Sequence, residues 1–419
     1  MKTKRSQSIR SFFPAVLILL FLCPLPAWAG GDEEASWPQW RGPNRDGIST
    51  ETDWNPAALS GGPKLLWHVN IGMGHSNVAI KDCRLYTMGR NKDGECVLAL
   101  DAGTGEEIWA SEIGYGIYPQ STPVVDGRHI YALSEDGVVA CFKAQSGDSV
   151  WSRNLANEFG APIPKYGYGT SPCASGNLVL LNTKTSGIAL RKATGELVWE
   201  GGACVDKIGK YYATPVTYSH RGREHALIFS FTGLYSMDVK SGERLWFYEW
   251  TKQGSPNAAD PVLFDGRVFI SSSETDSRGA VLDIGGDEPQ LLWETPEMAN
   301  HFSSAVYLDG YLYGVHGDYH LGIKRCTLRC LDAETGTLMW EEHTGGASLS
   351  AADGKLIVLT AKGTLHIVEA APEAYGEISS CELPTESGKH MWWTPPVLCG
   401  GRIYCRNFSG DLVCIDVSE

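Results

Sequence analysis

Short apolar runs recur along this chain between turns rich in glycine, aspartate and serine, and no long helical pattern interrupts them. One period shows the arrangement. Residues 124–125, 129–134, 138–143 and 149–153 have the length and the β-branched or aromatic content of strands. Between the second and third runs stands Glu135-Asp136-Gly137, where glycine supplies a positive φ and aspartate can bond the turn's backbone. The pattern predicts four antiparallel strands in each period.

The period itself is marked by tryptophan. Two stretches share the same form, LDAGTGEEIW ending at Trp109 and LDAETGTLMW ending at Trp340. Seven tryptophans recur at intervals of 42 to 48 residues, at Trp67, Trp109, Trp151, Trp199, Trp246, Trp293 and Trp340. A period in the forties that contains short strands is typical of the blades of a β-propeller.

The two ends of the repeat region complement each other. The last repeat stops after its third strand, Asp411–Asp416, and the segment at residues 64–69 resembles the missing fourth strand. Counting third strands gives eight blades. The sequence therefore predicts an all-β fold over residues 64–419: an eight-bladed β-propeller of four-stranded antiparallel blades. An N-terminal strand completes the C-terminal blade and closes the ring, which removes its exposed sheet edges.

The recurring tryptophans are expected to be structural. Each lies on the outermost strand of its blade, where its large apolar face can pack on the neighbouring blade and its N–H can meet a polar partner. Blade seven departs from the pattern, because Ser380 stands where a tryptophan is expected. We expect a weaker interface there.

The first 29 residues have the features of a secretory signal peptide. Lys2, Lys4, Arg5 and Arg10 precede an apolar run at residues 14–25, and Ala27-Trp28-Ala29 follows as a small-x-small cleavage site. The apolar run is too short to span a bilayer. The sequence thus predicts an exported protein, periplasmic or extracellular, whose mature chain starts near Gly30 and carries no membrane-spanning segment.

Charge narrows the range of partners. The whole chain has a net charge of −14 at pH 7, and the signal peptide contains four of its basic residues and no acidic one. The mature surface is therefore more acidic still, which argues against binding to nucleic acid or to anionic membranes.

Residues 30–63 form a lead segment before the repeats. It contains WPQWRGPNRDG, which starts at Trp37 and ends at Gly47. Its tryptophans, arginines and aspartate would suit a ligand motif. They would equally suit a clip that crosses the end or side of the ring, with Trp37 and Trp40 as apolar anchors. We favour the clip, since anchoring a chain end is the commoner need.

Eleven of the twelve cysteines remain after Cys23 is removed with the signal peptide. Cys141, Cys330 and Cys414 occupy a strand position that alanine or serine holds in other blades, which predicts small buried thiols. Cys405 lies on the strand next to that of Cys414, so that a bridge between them stays open at this point. No CxxC pair or CxxCH motif is present.

Chemistry in a propeller usually lies over the central channel, on loops that join one blade to the next. Those loops are aromatic and polar here, which suits a planar or sugar-like ligand or a peptide segment. The alternative is that the tyrosines only plug the mouth of the channel. The candidate ligand-binding residues are His75, Tyr118, Gln120, Tyr166, Tyr168, Lys210, Tyr212, Asn257, Asp260, His301, His390 and Trp393.

Spacing alone names no reaction at this face. His301 and Asp260 have the chemistry of an acid and a base, but they stand on different loops and match no catalytic or metal-binding motif. We therefore assign no catalytic residue and no metal ligand.

The strand ending in Ala-Leu-Asp-Ala, followed by x-Thr-Gly-x-x-x-Trp, resembles the pyrroloquinoline-quinone (PQQ)-like repeat over roughly residues 64–419. One group with this repeat is the quinoprotein dehydrogenases, which bind the quinone with calcium and oxidise alcohols or sugars. Another is non-catalytic and includes the propeller subunit of the outer-membrane β-barrel assembly machinery (BamB). This chain lacks the adjacent cysteines of many quinoprotein alcohol dehydrogenases, and only Asn257 and Asp260 resemble their calcium ligands.

The sequence thus favours an exported, non-catalytic propeller that binds a protein segment or a small polar or aromatic ligand at its loop face, with no cofactor. The alternatives are a PQQ- and calcium-dependent dehydrogenase and a carbohydrate-binding propeller. Fold alone does not decide among them.

Overall fold

The computed structural model describes residues 35–202, 212–250, 257–273, 277–317, 323–386 and 391–419. Within these ranges the chain is almost entirely β-structure. The lead segment contributes β1 (Ile48–Ser49), and the ring-closing strand is β2 (Lys64–Asn70). A five-residue helix, α1 (Leu155–Phe159), and a 3-10 turn (Ile323–Arg325) are the helical elements in this part of the chain, and neither has the length or apolarity to cross a membrane.

The first four blades follow in chain order. Blade one comprises β3 (Ala79–Lys81), β4 (Arg84–Arg90), β5 (Glu95–Asp101) and β6 (Glu107–Gly114). Blade two comprises β7 (Val124–Asp126), β8 (His129–Leu133), β9 (Val138–Lys143) and β10 (Ser149–Asn154). Blade three comprises β11 (Cys173–Ser175), β12 (Leu178–Leu181), β13 (Ile188–Arg191) and β14 (Leu197–Glu200). Blade four comprises β15 (Val216–His220), β16 (Arg223–Ser230), β17 (Gly233–Asp238) and β18 (Arg244–Glu249).

The other four blades repeat the plan. Blade five comprises β19 (Val262–Phe264), β20 (Arg267–Ser272), β21 (Arg278–Asp283) and β22 (Gln290–Thr295). Blade six comprises β23 (Val306–Leu308), β24 (Tyr311–His316), β25 (Thr327–Asp332) and β26 (Leu338–Glu342). Blade seven comprises β27 (Ala347–Ala352), β28 (Lys355–Thr360), β29 (Thr364–Glu369) and β30 (Glu377–Glu382). Blade eight comprises β31 (Val397–Leu398), β32 (Arg402–Arg406), β33 (Asp411–Asp416) and β2.

The eight-bladed ring closes as the sequence predicts. Strand β2 pairs antiparallel with β33, so that Lys64 lies opposite Asp416 and Asn70 opposite Asp411. An ion pair of 2.8 Å between Lys64 Nζ and Asp416 Oδ2 marks one end of this junction. Pairing between the two ends of the chain therefore builds blade eight and confirms the predicted closure.

The hydrophobic core is divided among the interfaces between blades. In the described residues, eight apolar clusters are each shared by two neighbouring blades. The cluster between blades two and three, for example, joins Val139 and Cys141 to Leu181 and Leu190, all fully buried. Both faces of each blade are therefore covered, and this explains the continuous apolar runs of the strands in the middle of each blade.

The repeat tryptophans bind each blade to the next. Each of six indole N–H groups donates to a backbone carbonyl in the turn between the third and fourth strands of the following blade: Trp67 to Ala102, Trp109 to Ala144, Trp151 to Lys192, Trp199 to Val239, Trp293 to Ala333 and Trp340 to Ala371. In five of these turns, all except the one that accepts from Trp340, a glycine lies against the indole ring with φ between +69° and +75°. The Thr-Gly and Trp of the repeat are thus two halves of one contact between blades.

A matched pair of glycines tests this contact. Gly195 has φ +69°, and a Cβ there would lie 2.6 Å from the Trp151 ring, whereas Gly266 has φ +72° and open space around it. Gly266→Ala should cost about 1–2 kcal/mol from the left-handed backbone alone. Gly195→Ala should cost about 1–3 kcal/mol more from the ring overlap. Denaturant unfolding of the two variants measures the difference, and equal losses would show that the contact is loose.

Blade seven differs from the sequence prediction in register. Ile367 lies opposite Ser379, as Cys330 lies opposite Trp340, so Ser379 and not Ser380 holds the tryptophan position. The bulge that precedes this position in each blade, combined with a longer turn here, caused the error of one residue.

The lead segment fills the interface where this tryptophan is missing. Trp54 and Leu59 are buried in the cluster shared by blades seven and eight. Asn55 N donates to Val417 O at 2.7 Å. Val417 follows Cys414 as Ala102 follows Ala99, so its carbonyl is the one that a blade-seven tryptophan would have used. Our expectation of a weak interface assumed an empty position, whereas the structure shows it occupied.

Upstream of this point, residues 37–51 form a finger inside the ring rather than a strap across its end or side. Trp37 pairs antiparallel with Ile80 on the inner strand of blade one, and β1 runs parallel to β27 on the inner strand of blade seven. The chain thus enters the axial space along one blade, turns, and leaves along another.

The finger bonds to all eight blades. The contacts are Trp37 with Ile80, Pro38 O with Val125 N, Arg45 with Ala174 O and Thr217, Trp40 with Asp260, Arg41 with Ala305 O, Gly47 O with Ala351 N, and Glu51 with the Gly400 and Gly401 amides. Arg41 is 4% exposed and its guanidinium also donates to Asp46 O at 2.7 Å. These bonds fix the finger to the ring as a central plug.

The ten cysteines in the described ranges form no disulfide bond with one another. Cys141, Cys330 and Cys414 are fully buried in the predicted small position. Cys414 lies opposite Tyr404, while Cys405 lies opposite Val413, so the register does not place the two thiols together.

Candidate functional site

The loop face is organised by a belt of hydrogen bonds around the axis. Two residues before the inner strand of blades one to five, a backbone N–H donates to a side-chain oxygen at the same position of the next blade. The described bonds run from Asn77 to Thr122, Thr122 to Ser171, Ser171 to Thr214, Thr214 to Asp260, and Asp260 to Ser304, at 2.6–3.1 Å. The belt holds the roots of the loops at fixed distances from one another.

Asp260 is the carboxylate in a belt otherwise made of hydroxyl and amide side chains. Its Oδ1 accepts from Thr214 N at 2.6 Å, and its Oδ2 accepts from Trp40 Nε1 at 2.5 Å. Arg41 Nε lies 4.0 Å from the same Oδ2. Burial raises the pKa of Asp260 and Arg41 opposes that rise. Asp260 therefore joins the belt to the tip of the finger.

A cavity of about 600 Å³ opens above the finger tip. We call it the cup. Its wall contains Trp40, His75, Tyr118, Gln120, Glu135, Lys165, Tyr166, Gly169, Tyr212, Thr214, Ala258, Asp260, His301, Phe302, Trp393, Thr394 and Phe408. Trp40 lies against Asp260 on the axial side, so the finger closes the channel beneath the cup.

Aromatic rings form a connected arc along one side of the cup. His75 stacks on Trp393 with ring centroids 5.0 Å apart, and on Phe408 at 4.8 Å. Tyr118 contacts Phe408 at 5.2 Å, and Phe302 contacts Trp393 at 4.9 Å. Burial, and secondarily Arg406, lowers the pKa of His75 to about 3, so the imidazole is neutral at pH 7.

Arg406 supports this arc from behind. It is 1% exposed, and its Nη1 donates to the carbonyls of Ser76 at 2.6 Å and Met88 at 2.7 Å. Burial lowers the pKa of the guanidinium to about 9. The side chain ties blade eight to the loop that carries His75.

The structure brings together most of the candidate residues. Eight line the cup: His75, Tyr118, Gln120, Tyr166, Tyr212, Asp260, His301 and Trp393. Tyr168 does not, because it is fully buried in the cluster between blades two and three and its hydroxyl donates to Pro162 O. Asn257 does not either, because its amide donates to Ser230 O at 2.6 Å. Lys210 and His390 lie outside the described residues.

Glu135, Phe302 and Phe408 of the cup wall were not among the candidates, and Trp40 was considered only within the lead segment, where the clip was favoured. Glu135 and Phe408 lie in turns between the second and third strands of their blades. In an antiparallel blade those turns share a face with the inter-blade loops, so strand order alone would have pointed to them. Trp40 had no such signal, since the finger has no repeat partner.

A group of three carboxylates supports the rim beside blades one and two. Glu95 is fully buried and accepts a hydrogen bond from Glu135 N at 2.9 Å. Ser134 donates to Asp136, whose other carboxylate oxygen accepts from Tyr115 N. Burial, assisted by the charges of Asp136 and Glu135, raises the pKa of Glu95 to about 8. Glu95 therefore holds the Glu135 turn as a neutral acid at pH 7.

This buried acid makes stability depend on pH. The unfolded chain releases the Glu95 proton near pH 4.5, whereas the folded chain keeps it until about pH 8. The folded state thus binds more protons between these values, and stability should fall as pH rises, by about 1.4 kcal/mol per unit at most. Glu95→Gln, which mimics the protonated acid, should remove this contribution. Denaturant unfolding at pH 6 and pH 9 measures it, and an unchanged pH slope in the variant would contradict the assignment.

In the described ranges no three or more His, Cys, Asp and Glu side chains come together in a way that could hold a metal ion. The carboxylates of the cup wall instead accept hydrogen bonds from backbone, indole and hydroxyl groups, as shown for Asp260 and Glu135.

Known relatives share both the fold and much of the chain. The BamB outer membrane protein assembly factor of Yersinia pestis is 21% identical over 368 residues, covering 73% of this chain and 88% of that protein. The factor from Burkholderia pseudomallei is 25% identical over 314 residues, covering 72% and 75%.

Two solved structures show how widely the fold is shared. BamB from Moraxella catarrhalis superposes with a TM-score of 0.64 at 16% identity, covering 84% of this chain and 97% of that one. A europium-containing methanol dehydrogenase superposes with a TM-score of 0.70 at 13% identity, covering 89% of both chains. At such identities the structures establish the propeller fold alone.

The family model described as outer membrane protein assembly factor BamB matches residues 92–325, which is more than half of the chain. With a PQQ-like propeller observed over the repeats, the chain belongs to this family.

Proposed function

We propose that this chain is an exported, non-catalytic binding module that holds a segment of a partner protein in the cup. The observation that carries the proposal is an aromatic cavity closed at its axial end by the chain's own finger. Tyr118 and Tyr166 are 39% and 52% exposed at its wall. Concave aromatic sites with a few placed polar groups are typical of binding surfaces. Membership in a family named for protein assembly supports a protein partner.

The bonds made by Asp260 argue against acid–base catalysis. Both of its oxygens accept hydrogen bonds from protein groups, and the buried Arg41 guanidinium is beside it. A general base must instead reach the proton that it removes. We assign Asp260 to the docking of the finger.

The contacts of Asp260 also argue against the alternative of a dehydrogenase that depends on quinone and calcium. Calcium prefers several oxygen ligands, carboxylates above all. Asp260 faces Arg41 and Trp40, and the Asn257 amide is bonded to Ser230 O away from the cup. This donor set does not fit a quinone–calcium group, and we derive no step through one.

Peptide selection tests the proposal. We expect random peptides panned on the protein to yield sequences whose affinity falls at least tenfold in a Tyr118→Ala, Tyr166→Ala double variant. Tyr115→Ala is the matched control, because Tyr115 is 86% exposed on the same loop as Tyr118 but does not line the cup. Calorimetry gives the affinities. Peptides that bind the double variant undiminished, or a failure to select any, would refute segment binding in the cup.

A further inference from the structure

Glu135 presents a carboxylate oxygen at the wall of the cup. Its Oε2 accepts from the backbone N–H groups of Ile117 and Tyr118, the latter at 2.7 Å. In the part of the chain that the structure describes, Oε1 accepts no hydrogen bond and Glu135 has no ion-pair partner. One oxygen of this half-buried side chain is therefore available to a ligand.

The loops that carry Tyr118 and Tyr166 flank this side chain. Tyr118 follows directly after the amide that Glu135 binds. On the other side, Tyr168 N donates to Glu135 O, and a Cβ on Gly167 would overlap the Glu135 side chain. Glu135 thus lies between the loops that carry Tyr118 and Tyr166. Aromatic faces attract cations because of their quadrupole, and a nearby carboxylate adds to that attraction.

A contact between a cation and a tyrosine ring is already present in the cup wall. The Lys165 ammonium lies 4.8 Å from the centroid of the Tyr166 ring. Among the other charged groups beside the cup, His75 is neutral at pH 7 and the Asp260 carboxylate lies next to Arg41. Lys165 is the cationic group of the described cup wall, so an incoming cation would have to displace its ammonium from the Tyr166 ring. A net charge of −14 also favours the approach of basic segments.

We infer that the segment bound in the cup inserts a lysine or arginine side chain between Tyr118 and Tyr166, with its charged head on Glu135. This inference rests on the proposed function and names the chemistry of its ligand. The cationic group would lie over the tyrosine faces, and the aliphatic stem would pack along the apolar arc.

Three capped heptapeptides test the inference. They carry lysine, norleucine or Nε-acetyllysine at the central position and glycine and serine elsewhere. Calorimetry on the full mature protein should give a dissociation constant for the lysine peptide at least tenfold below those of the two neutral peptides. The difference should shrink between 50 mM and 500 mM salt, since screening weakens charge pairs.

Two variants locate the effect. Glu135→Gln retains an oxygen that can accept from Tyr118 N but removes the charge, so the preference for lysine should fall at least fivefold. Glu334→Gln is the control, because that residue pairs with Arg267 on the opposite face of the ring. Both variants should melt within a few degrees of the wild type.

The outcomes separate the two proposals. Equal or tighter binding of the norleucine peptide overturns cation recognition, while the peptide selection with the Tyr118 and Tyr166 variants decides independently whether segments bind in the cup. Binding of the lysine peptide that survives in Glu135→Gln but not in Glu334→Gln would also overturn it. If none of the three peptides binds, the inference is overturned. The proposed function is then tested by the peptide selection alone.

Discussion

Deletion of residues 35–50 is expected to destabilise the whole propeller. Trp37 is 2% exposed in the cluster between blades one and eight, and loss of such a tryptophan alone costs about 3–5 kcal/mol. The deletion also removes the buried Arg41 bonds and leaves Asp260 as a charge without its cation. We expect a loss larger than that of the tryptophan by itself, measured by denaturant unfolding and thermal melting.

Point variants separate the two roles of the finger. Trp37→Ala should lower the melting temperature and leave peptide affinity nearly unchanged, because Trp37 does not line the cup. Trp40→Ala should lower both, because Trp40 lines the cup and donates to Asp260. If the deletion abolished peptide binding with the melting temperature unchanged, the finger would be a ligand element and not a stabilising one.

Trp54→Ala is expected to cost about 3–5 kcal/mol, as for other fully packed tryptophans. Trp54 is 7% exposed and packs in the cluster that contains Ile367 and Ile415, and the fourth strand of blade seven has no tryptophan of its own. The loss should appear as a lower midpoint of chemical unfolding, together with faster local exchange of amides in β30 and β33.

Leu66→Ala is a suitable control for that variant. Leu66 is 39% exposed on β2 of blade eight, and its loss should change stability by no more than about 0.5 kcal/mol. A loss below 1 kcal/mol for Trp54→Ala would mean that blades seven and eight adhere without the lead segment.

Structural features that recur from blade to blade could be predicted from the sequence, whereas features that occur once could not. The tryptophan spacing indicated the period, and the count of third strands predicted eight blades and the closing strand, because most repeats share the contact between Trp and the next turn. Ser379 was misplaced by one residue, because the longer turn in blade seven hides the bulge. The finger has no counterpart in any repeat, so no sequence pattern predicted that it runs through the axial space of the ring.

The residues of the cup show the same limit of prediction from sequence within a single loop. Tyr166 and Tyr168 are two residues apart and were equally good candidates, yet one is half exposed and the other fully buried. No alternation applies in an irregular loop, so spacing could not separate them. Asp260 stood out by its charge, but the belt position that it shares with Thr214 and Ser304 depends on hydrogen bonds between blades, which no sequence pattern indicates.

The finger also constrains the order in which this molecule can fold. Its residues precede every blade in the chain, yet Glu51 bonds to Gly400, which lies 349 residues further on. Strand β2 likewise cannot pair until β33, near the other end of the chain, has been made. Contacts of such long range impose large loop-closure entropy and slow folding. During synthesis, the finger is made before every blade and is the last of these elements to reach its place.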